Sequence, residues 1–369
     1  MMQTEDDSYS RVLRIMELCG QVRSRRAGNL LASLLSAFFT TNSWLGVFLF
    51  SFLAEGLPTD LRILVFIFGL GGLTLNLKFL NTLLRQGRIK RILQIFKKLE
   101  DQNFTFYGTE VREEFEKMNK SAFKSILYFM NGYPAFIVCK CAVVSLIGPN
   151  LDLPHPCWTF LDFKEWFVTN FIWQTVTLCF VMFHGSISYS FFYLTINNTA
   201  AHMRVLSIML TVGRVTIREA IQRHILILRL VREINELFCW QLVQELGFYS
   251  IQGAYIGFAL IKLFKSHGGL ETAIVDIYVM CLYMFFAYFY CTCGHKIGVE
   301  GDKLFESIYD CNWSERSIQD RKSLALMLCM AGREVKLAYK NLMTFNNQRF
   351  SGIINASYSY LSLLFNMDI

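Results

Sequence analysis

The chain has 369 residues, of which 53% are hydrophobic, 15% aromatic and only 18% charged, with mean hydropathy +0.35. A water-soluble domain of this length carries more charge and shorter apolar runs, so the composition excludes that class and points to a lipid-embedded protein. The net charge of +7 is spread over several loops and forms no nucleic-acid-binding stripe.

The 34 Phe suit lipid contact, the 5 Pro leave little room for a Pro-rich linker, and neither internal repeats nor low-complexity tracts occur. The opening MMQTEDDSYSRVLRIMELCG is acidic, then amphipathic. It lacks the apolar run and small-residue site of a cleavable signal, so the first transmembrane segment is expected to direct insertion. That segment runs without charge from Asn29 to Ala54. The second spans Leu61 to Leu77, with Lys78 at its inner end. From Arg85 to Glu100 apolar residues recur at helical spacing among clustered basic ones, which predicts an amphipathic helix near an anionic leaflet.

A third segment covers Ser125 to Gly148 and contains Pro134 and Lys140. The stretch from Pro149 to Phe167 is aromatic and poor in Lys and Arg, as expected of an outer loop. The fourth segment starts near Val168 and meets no charge until Arg204, longer than one crossing, so its excess is expected to project into the cytoplasm as a stalk. Ile217, Ile221, Ile225, Leu228 and Val231 then line one face of an amphipathic helix that leads into a fifth segment, Leu237 to Ile261. The sixth covers Thr272 to His295. Lys322 to Thr344 reads as the inner half of a seventh element, broken at Phe345–Arg349 from a terminal helix that begins at Phe350.

The terminal helix is apolar and uncharged until Asp368. At about 100° per residue, Asn355, Ser359, Ser362 and Asn366 fall on one stripe with Gly352 and Leu363, while Leu361, Leu364 and Phe365 fall opposite. A polar seam on a membrane helix must face protein or water. Two readings stand on the residues alone: hydrogen bonding between helices, or the lining of a pore built from several subunits.

Basic residues cluster before the first segment (Arg11, Arg14, Arg23, Arg25, Arg26) and after the second, fourth and sixth. The positive-inside rule then puts the N-terminus in the cytoplasm, and seven crossings put the C-terminus outside. The 11 Cys show no pairing pattern; Cys291 and Cys293 lack a zinc spacing, and Cys157 alone falls in an outer loop. No metal, cofactor or catalytic constellation is expected, and hence no enzyme. Of the ionisable groups in apolar runs, Asp276 is expected to be solvated, Lys140 to snorkel, and Glu245 to pair with a stalk arginine.

Three stretches, in order, resemble the insect odorant receptors: RHILILRLVREINELFCWQLVQEL before and into the fifth segment, GVEGDKLFESIYDCNW with Ile308, Tyr309 and Trp313, and the ending NASYSYLSLLFNM. The seven segments, inverted orientation, long fourth-to-fifth stalk and split seventh helix resemble the same family. A G-protein-coupled receptor would place its N-terminus outside and carry Asp-Arg-Tyr-type and Asn-Pro-x-x-Tyr-type motifs, which are missing. The related gustatory receptors end in a Thr-Tyr…Gln-Phe pattern, and Ser359-Tyr360 is followed by no Gln-Phe.

The resemblance implies an all-α membrane protein, one subunit of a tetrameric, odorant-gated, non-selective cation channel in the plasma membrane of a sensory neuron. It implies a co-receptor partner; the compact fourth-to-fifth loop here resembles the ligand-tuning subunit. Residues 1–28 become a cytoplasmic segment, 29–200 the first four crossings with the outer ligand pocket, 201–349 the stalk and anchor, and 350–369 the pore helix. The implied pocket for a small lipophilic volatile comprises Phe66, Phe68, Tyr133, Phe136, Trp173, Gln174, Thr177, Tyr278, Cys281 and Tyr283. The implied pore comprises Asn355, Ser359, Ser362, Leu363, Asn366, Met367 and Asp368, with Leu363 and Met367 at gating positions. The implied subunit anchor comprises Ile217, Ile221, Ile225 and Leu228 with Tyr309 and Trp313. The sequons at Asn103, Asn119, Asn197 and Asn312 all fall on the cytoplasmic side in this orientation.

Overall fold

The computed structural model describes residues 8–22, 28–54, 56, 59–101, 106–147, 165–213, 215–265, 270–332, 335–340 and 342–366. The chain folds into helices α1 (Ser8–Leu18), α2 (Gly28–Leu53), α3 (Thr59–Leu84), α4 (Gln86–Asp101), α5 (Phe106–Ile147), α6 (Phe167–Thr211), α7 (Ile217–Lys265), α8 (Leu270–Tyr309) and α9 (Ile318–Ala331). A short hairpin, β1 (Ala338–Tyr339) and β2 (Met343–Thr344), precedes the terminal helix α10 (Asn347–Asn366). Among the described residues, five helices (α2, α3, α6, α7 and α8) are long and apolar enough to cross a membrane.

Helix α6 is the axis of the bundle and packs against α1, α2, α3, α5, α7 and α8. From His184 to Leu210 nearly every side chain is buried, and its small polar residues satisfy themselves by bonding back along the helix, as Ser190, Thr195 and Thr199 do. Its N-terminal end differs: Val168, Ile172 and Val176 are exposed, as lipid-facing side chains should be. The bundle is thus solid around the C-terminal part of α6 and opens toward its N-terminal end.

Helix α7 runs unbroken for 49 residues, joining the amphipathic stalk to the fifth segment as the sequence expects. It starts at a capping box: the Thr216 amide donates to Glu219 at 3.2 Å and the Glu219 amide to the Thr216 hydroxyl at 3.3 Å. The turn from α6 passes through Gly213, whose φ of +70° other residues adopt at a cost.

Four expectations need correction. The apolar face of α4 (Ile89, Ile92, Ile95, Phe96, Leu99) is buried in protein rather than in a leaflet, and Arg88 and Arg91 tie the helix to Glu233 of α7 at 3.1 and 3.0 Å. Helix α5 begins at Phe106 instead of Ser125, and α8 continues to Tyr309 instead of stopping at His295. Charged residues do not end these helices because buried Val111 and Phe115, and Ile297, Leu304 and Ile308, keep the helical spacing on one face. The inner half of the seventh element is not a helix to Thr344: α9 stops at Ala331 and the hairpin follows.

The hairpin pairs Ala338 with Thr344 and Tyr339 with Met343. Asn235 of α7 clamps it, donating to the Lys336 carbonyl at 3.0 Å and accepting from the Ala338 amide at 3.1 Å. Gly294 of α8 lies so close to the Phe345 backbone that any side chain there would collide with it. These tertiary contacts, with buried Leu337 and Phe345, outweigh helix propagation. Asn346 then caps α10, accepting from the Arg349 amide at 2.9 Å.

Candidate functional site

A cavity of about 310 Å³ lies where the bundle opens, walled by α2, α3, α6 and α8 with Met130 of α5 and Tyr249 of α7. Aliphatic and aromatic side chains dominate the walls, among them Val47, Phe68, Leu75, Leu178, Val181, Val279, Leu282 and Phe286. The polar lining is uncharged: Asn42, Ser43, Thr74, Asn170, Gln174, Thr177 and the tyrosines. Consecutive glycines of α3 make the space. A Cβ on Gly71 would come within 3.1 Å of the Tyr283 hydroxyl, and one on Gly72 within 3.0 Å of the Trp44 Cβ.

The floor of the cavity is a buried polar cluster. Tyr189 of α6 and Tyr249 of α7 line the cavity, and their hydroxyls are 2.6 Å apart. Beneath them, the Glu245 carboxylate accepts from Tyr249 at 3.0 Å, Tyr290 at 2.6 Å and Gln241 at 2.7 Å. Lys78 Nζ lies 3.1 Å from Glu245 Oε2, donates to Tyr290 at 2.9 Å and sits 3.2 Å from the centre of the Tyr189 ring. The Lys78 and Glu245 side chains are 4% and 2% exposed. A buried ion pair survives only when its remaining hydrogen-bonding capacity is met, and here the tyrosines meet it. One cluster therefore pins α3, α6, α7 and α8 together directly under the cavity.

This corrects the expectation that Glu245 pairs with a stalk arginine. Among the described residues Glu245 is met by Lys78 of α3 together with Tyr189, Tyr249, Tyr290 and Gln241, and by no arginine of the stalk. Asp276 is buried rather than solvated, on the same inward face of α8 as Val279 and Tyr283. The Lys140 side chain lies outside the described residues.

Of the ten pocket residues expected, Phe68, Trp173, Gln174, Thr177 and Tyr283 line the cavity. Phe66 does not: two positions from Phe68 it turns to the far side of α3, where it is exposed and packs edge-on against Phe48, with ring centres 5.0 Å apart. Cys281 is exposed and turned away from Val279 and Tyr283 by the same geometry. Tyr278 is half-buried beside Gly132 and is not a lining residue. The side chains of Tyr133 and Phe136 lie outside the described residues. The sequence reading missed the α2 wall and the floor tyrosines; the Gly-Leu-Gly-Gly run at Gly69–Gly72 was the available signal for a close-packed wall.

On α10, Asn355, Ser359, Ser362, Leu363 and Asn366 are all exposed. The other side packs inward: Ile353 and Ser357 are buried, and a Cβ on Gly257 of α7 would come within 3.4 Å of Leu361. Met367 and Asp368 lie outside the described residues. On the stalk, Ile217 is buried, Ile221 and Leu228 are partly covered, and Ile225 is 48% exposed. Tyr309 and Trp313 are exposed at the end of α8 and in the turn after it.

A helical bundle with apolar spans and a largely apolar, uncharged cavity between them is the architecture of a membrane receptor for small molecules. The 7tm odorant receptor model matches residues 59–358, and the chain belongs to that family. Its fold is similar to the insect olfactory receptor OR5 of Machilis hrabei in complex with eugenol, with TM-score 0.81, 12% identity and 97% of both chains covered. It is similar also to a second structure of the insect olfactory receptor OR5 from Machilis hrabei, with TM-score 0.80, 11% identity and coverage of 97% of this chain and 99% of that one.

Proposed function

We propose that this chain is the ligand-tuning subunit of an odorant-gated, non-selective cation channel, assembled as a tetramer with a co-receptor in the plasma membrane of a sensory neuron. The observation that carries the reading is the exposed polar side of α10. Asn355, Ser359, Ser362 and Asn366 are uncovered in the single chain while the opposite side is packed. In a membrane such a stripe must face water or other subunits. The reading takes α5 and α10 as the remaining crossings, with the N-terminus cytoplasmic.

The cavity then holds a small lipophilic volatile; the relative in complex with eugenol supports a ligand of that size. Its floor offers a route to the pore helix. Tyr249 faces the cavity, and the next residue of α7, Ser250, accepts a hydrogen bond from Ser357 of α10 at 3.2 Å. Gly253 lies at the same contact, where a Cβ would be 3.4 Å from the Ser357 hydroxyl, ordinary packing distance. A ligand that fits the cavity better when α7 is displaced shifts the closed–open equilibrium by that difference in affinity. Leu363, 57% exposed within the polar stripe, serves as an apolar constriction that closes by excluding water. Exposed Ile225, Tyr309 and Trp313 serve as contacts between subunits. Co-expression with the co-receptor in oocytes under voltage clamp tests the reading: an odorant panel evokes cation currents, and silence at normal surface expression contradicts it.

A further inference from the structure

Most small hydroxyl side chains along the inner half of α6 are spent on the helix itself. Ser188, Ser190, Thr195, Thr199 and Thr211 each donate to the carbonyl four residues back. Thr177 does not. It is 5% exposed, lines the cavity, and its hydroxyl has no hydrogen-bond partner among the described residues. Thr175 and Ser207 are also unpartnered but do not line the cavity. An unpaired buried hydroxyl is costly, and the cost is removed if a bound molecule supplies the partner. A second hydroxyl, that of Tyr283, faces the same space from α8 beside Gly71. No Lys, Arg, His, Asp or Glu is among the described lining residues.

From this geometry we infer that the ligand is an uncharged compound carrying one hydrogen-bond-accepting oxygen, held by Thr177 with Tyr283 as the second donor, and that these hydroxyls set selectivity for oxygenated over hydrocarbon volatiles. The inference rests on the reading of the cavity as the ligand site. A carbonyl oxygen has two lone pairs and can accept from two donors, one from each wall of the cavity. A site built to bond an oxygen discriminates strongly against an isostere without it, whereas apolar walls grade chain length only weakly.

The test uses 2-alkanones of increasing length and the 2-methyl-1-alkenes that replace the carbonyl oxygen by methylene. Both series are applied to the full-length chain, as ligand-gated current with the co-receptor and as thermal stabilisation of the purified protein. Ketones are expected to act at lower concentration than their alkene isosteres. Thr177→Val should erode that ratio by about three- to tenfold, the worth of one neutral hydrogen bond. Thr177→Ser should preserve it, and Tyr283→Phe should erode it independently, so the test stands even if one variant fails to reach the surface. Equal potency of the two series, a ratio unchanged in both Thr177→Val and Tyr283→Phe, or no effect of any member in either measurement overturns the inference. Ketone-selective stabilisation without current leaves it standing and sinks the channel reading instead.

Discussion

The hydroxyls of Tyr189 and Tyr249 meet at 2.6 Å, and the pair separates the cavity from a buried lysine–glutamate ion pair. Tyr249 and Tyr189 both touch the Glu245 carboxylate, at 3.0 and 3.3 Å, so anything that moves the cavity floor also disturbs the charge cluster. Glu245→Gln leaves Lys78 charged and unpaired in a buried site, at a cost of about 3–5 kcal/mol. Thermal unfolding of the purified protein should show that loss, and the double variant Lys78→Met with Glu245→Gln should recover much of it. A double variant no more stable than the single would assign the loss to the tyrosine bonds alone.

Gly71→Ala should shrink the cavity at a defined point, since the new Cβ meets the Tyr283 hydroxyl at 3.1 Å. Large ligands should lose potency by about tenfold or more, the scale of one methylene in an apolar site, while small ones change less. Concentration–response curves for a homologous odorant series check this. A uniform loss across the series would indicate damage to folding rather than to cavity shape.

Two of the sequons cannot serve as glycan acceptors in the folded chain, whichever side they occupy. The Asn197 side-chain amide donates to Asn119 at 2.8 Å, both buried in the packed interior, and partly buried Lys296 donates to Asn197 at 2.6 Å. The orientation is therefore tested at Asn103 and at exposed Asn312. Endoglycosidase treatment should leave the mobility of the wild type unchanged. A shift abolished by Asn312→Gln would reverse the orientation of the whole bundle.

On the stalk, covered and uncovered apolar residues stand side by side. Ile225 is exposed, whereas Ile227 is fully covered by the subunit's own core. Ile225→Asp should reduce co-purification with the co-receptor without lowering the amount of folded chain, because it removes apolar area only from an interface. Ile227→Asp should lower the amount of folded chain itself. Equal assembly of Ile225→Asp and wild type would place the anchor elsewhere.

Much of the helical framework was legible because a membrane writes it in plain periods: uncharged runs, basic clusters at one side and an amphipathic stalk. What pairs with what was less legible. Lys78 and Glu245 are far apart in sequence, and each alone reads as a charge near a membrane surface. Phe66 and Cys281 fall outside the cavity through helical phase, since a position two residues from a lining one points the opposite way. The α2 wall was passed over although Asn29, Ser33, Ser36 and Thr40 recur at helical spacing and mark the buried face of α2. The hairpin after α9 was hidden because its stability comes from Asn235 and Gly294, on other elements, and not from its own residues. The α10 seam was readable, since the spacing of Asn355, Ser359, Ser362 and Asn366 needed nothing but a helix, and those residues are all exposed in the fold.

The central claim is that this exposed stripe of α10 lines the conducting path. Cysteine substitution along the helix tests it most directly, with a charged thiol reagent applied during ligand-evoked current. The account predicts rapid, irreversible block at Ser359→Cys and Ser362→Cys that requires ligand, and no block at Ile353→Cys, whose side chain is buried against the bundle. Leu363→Ala should raise the current seen without ligand in the same recordings. If Ser359→Cys and Ser362→Cys conduct normally at normal surface expression and neither is modified, α10 does not line the pore, and its polar side is a surface for helix packing.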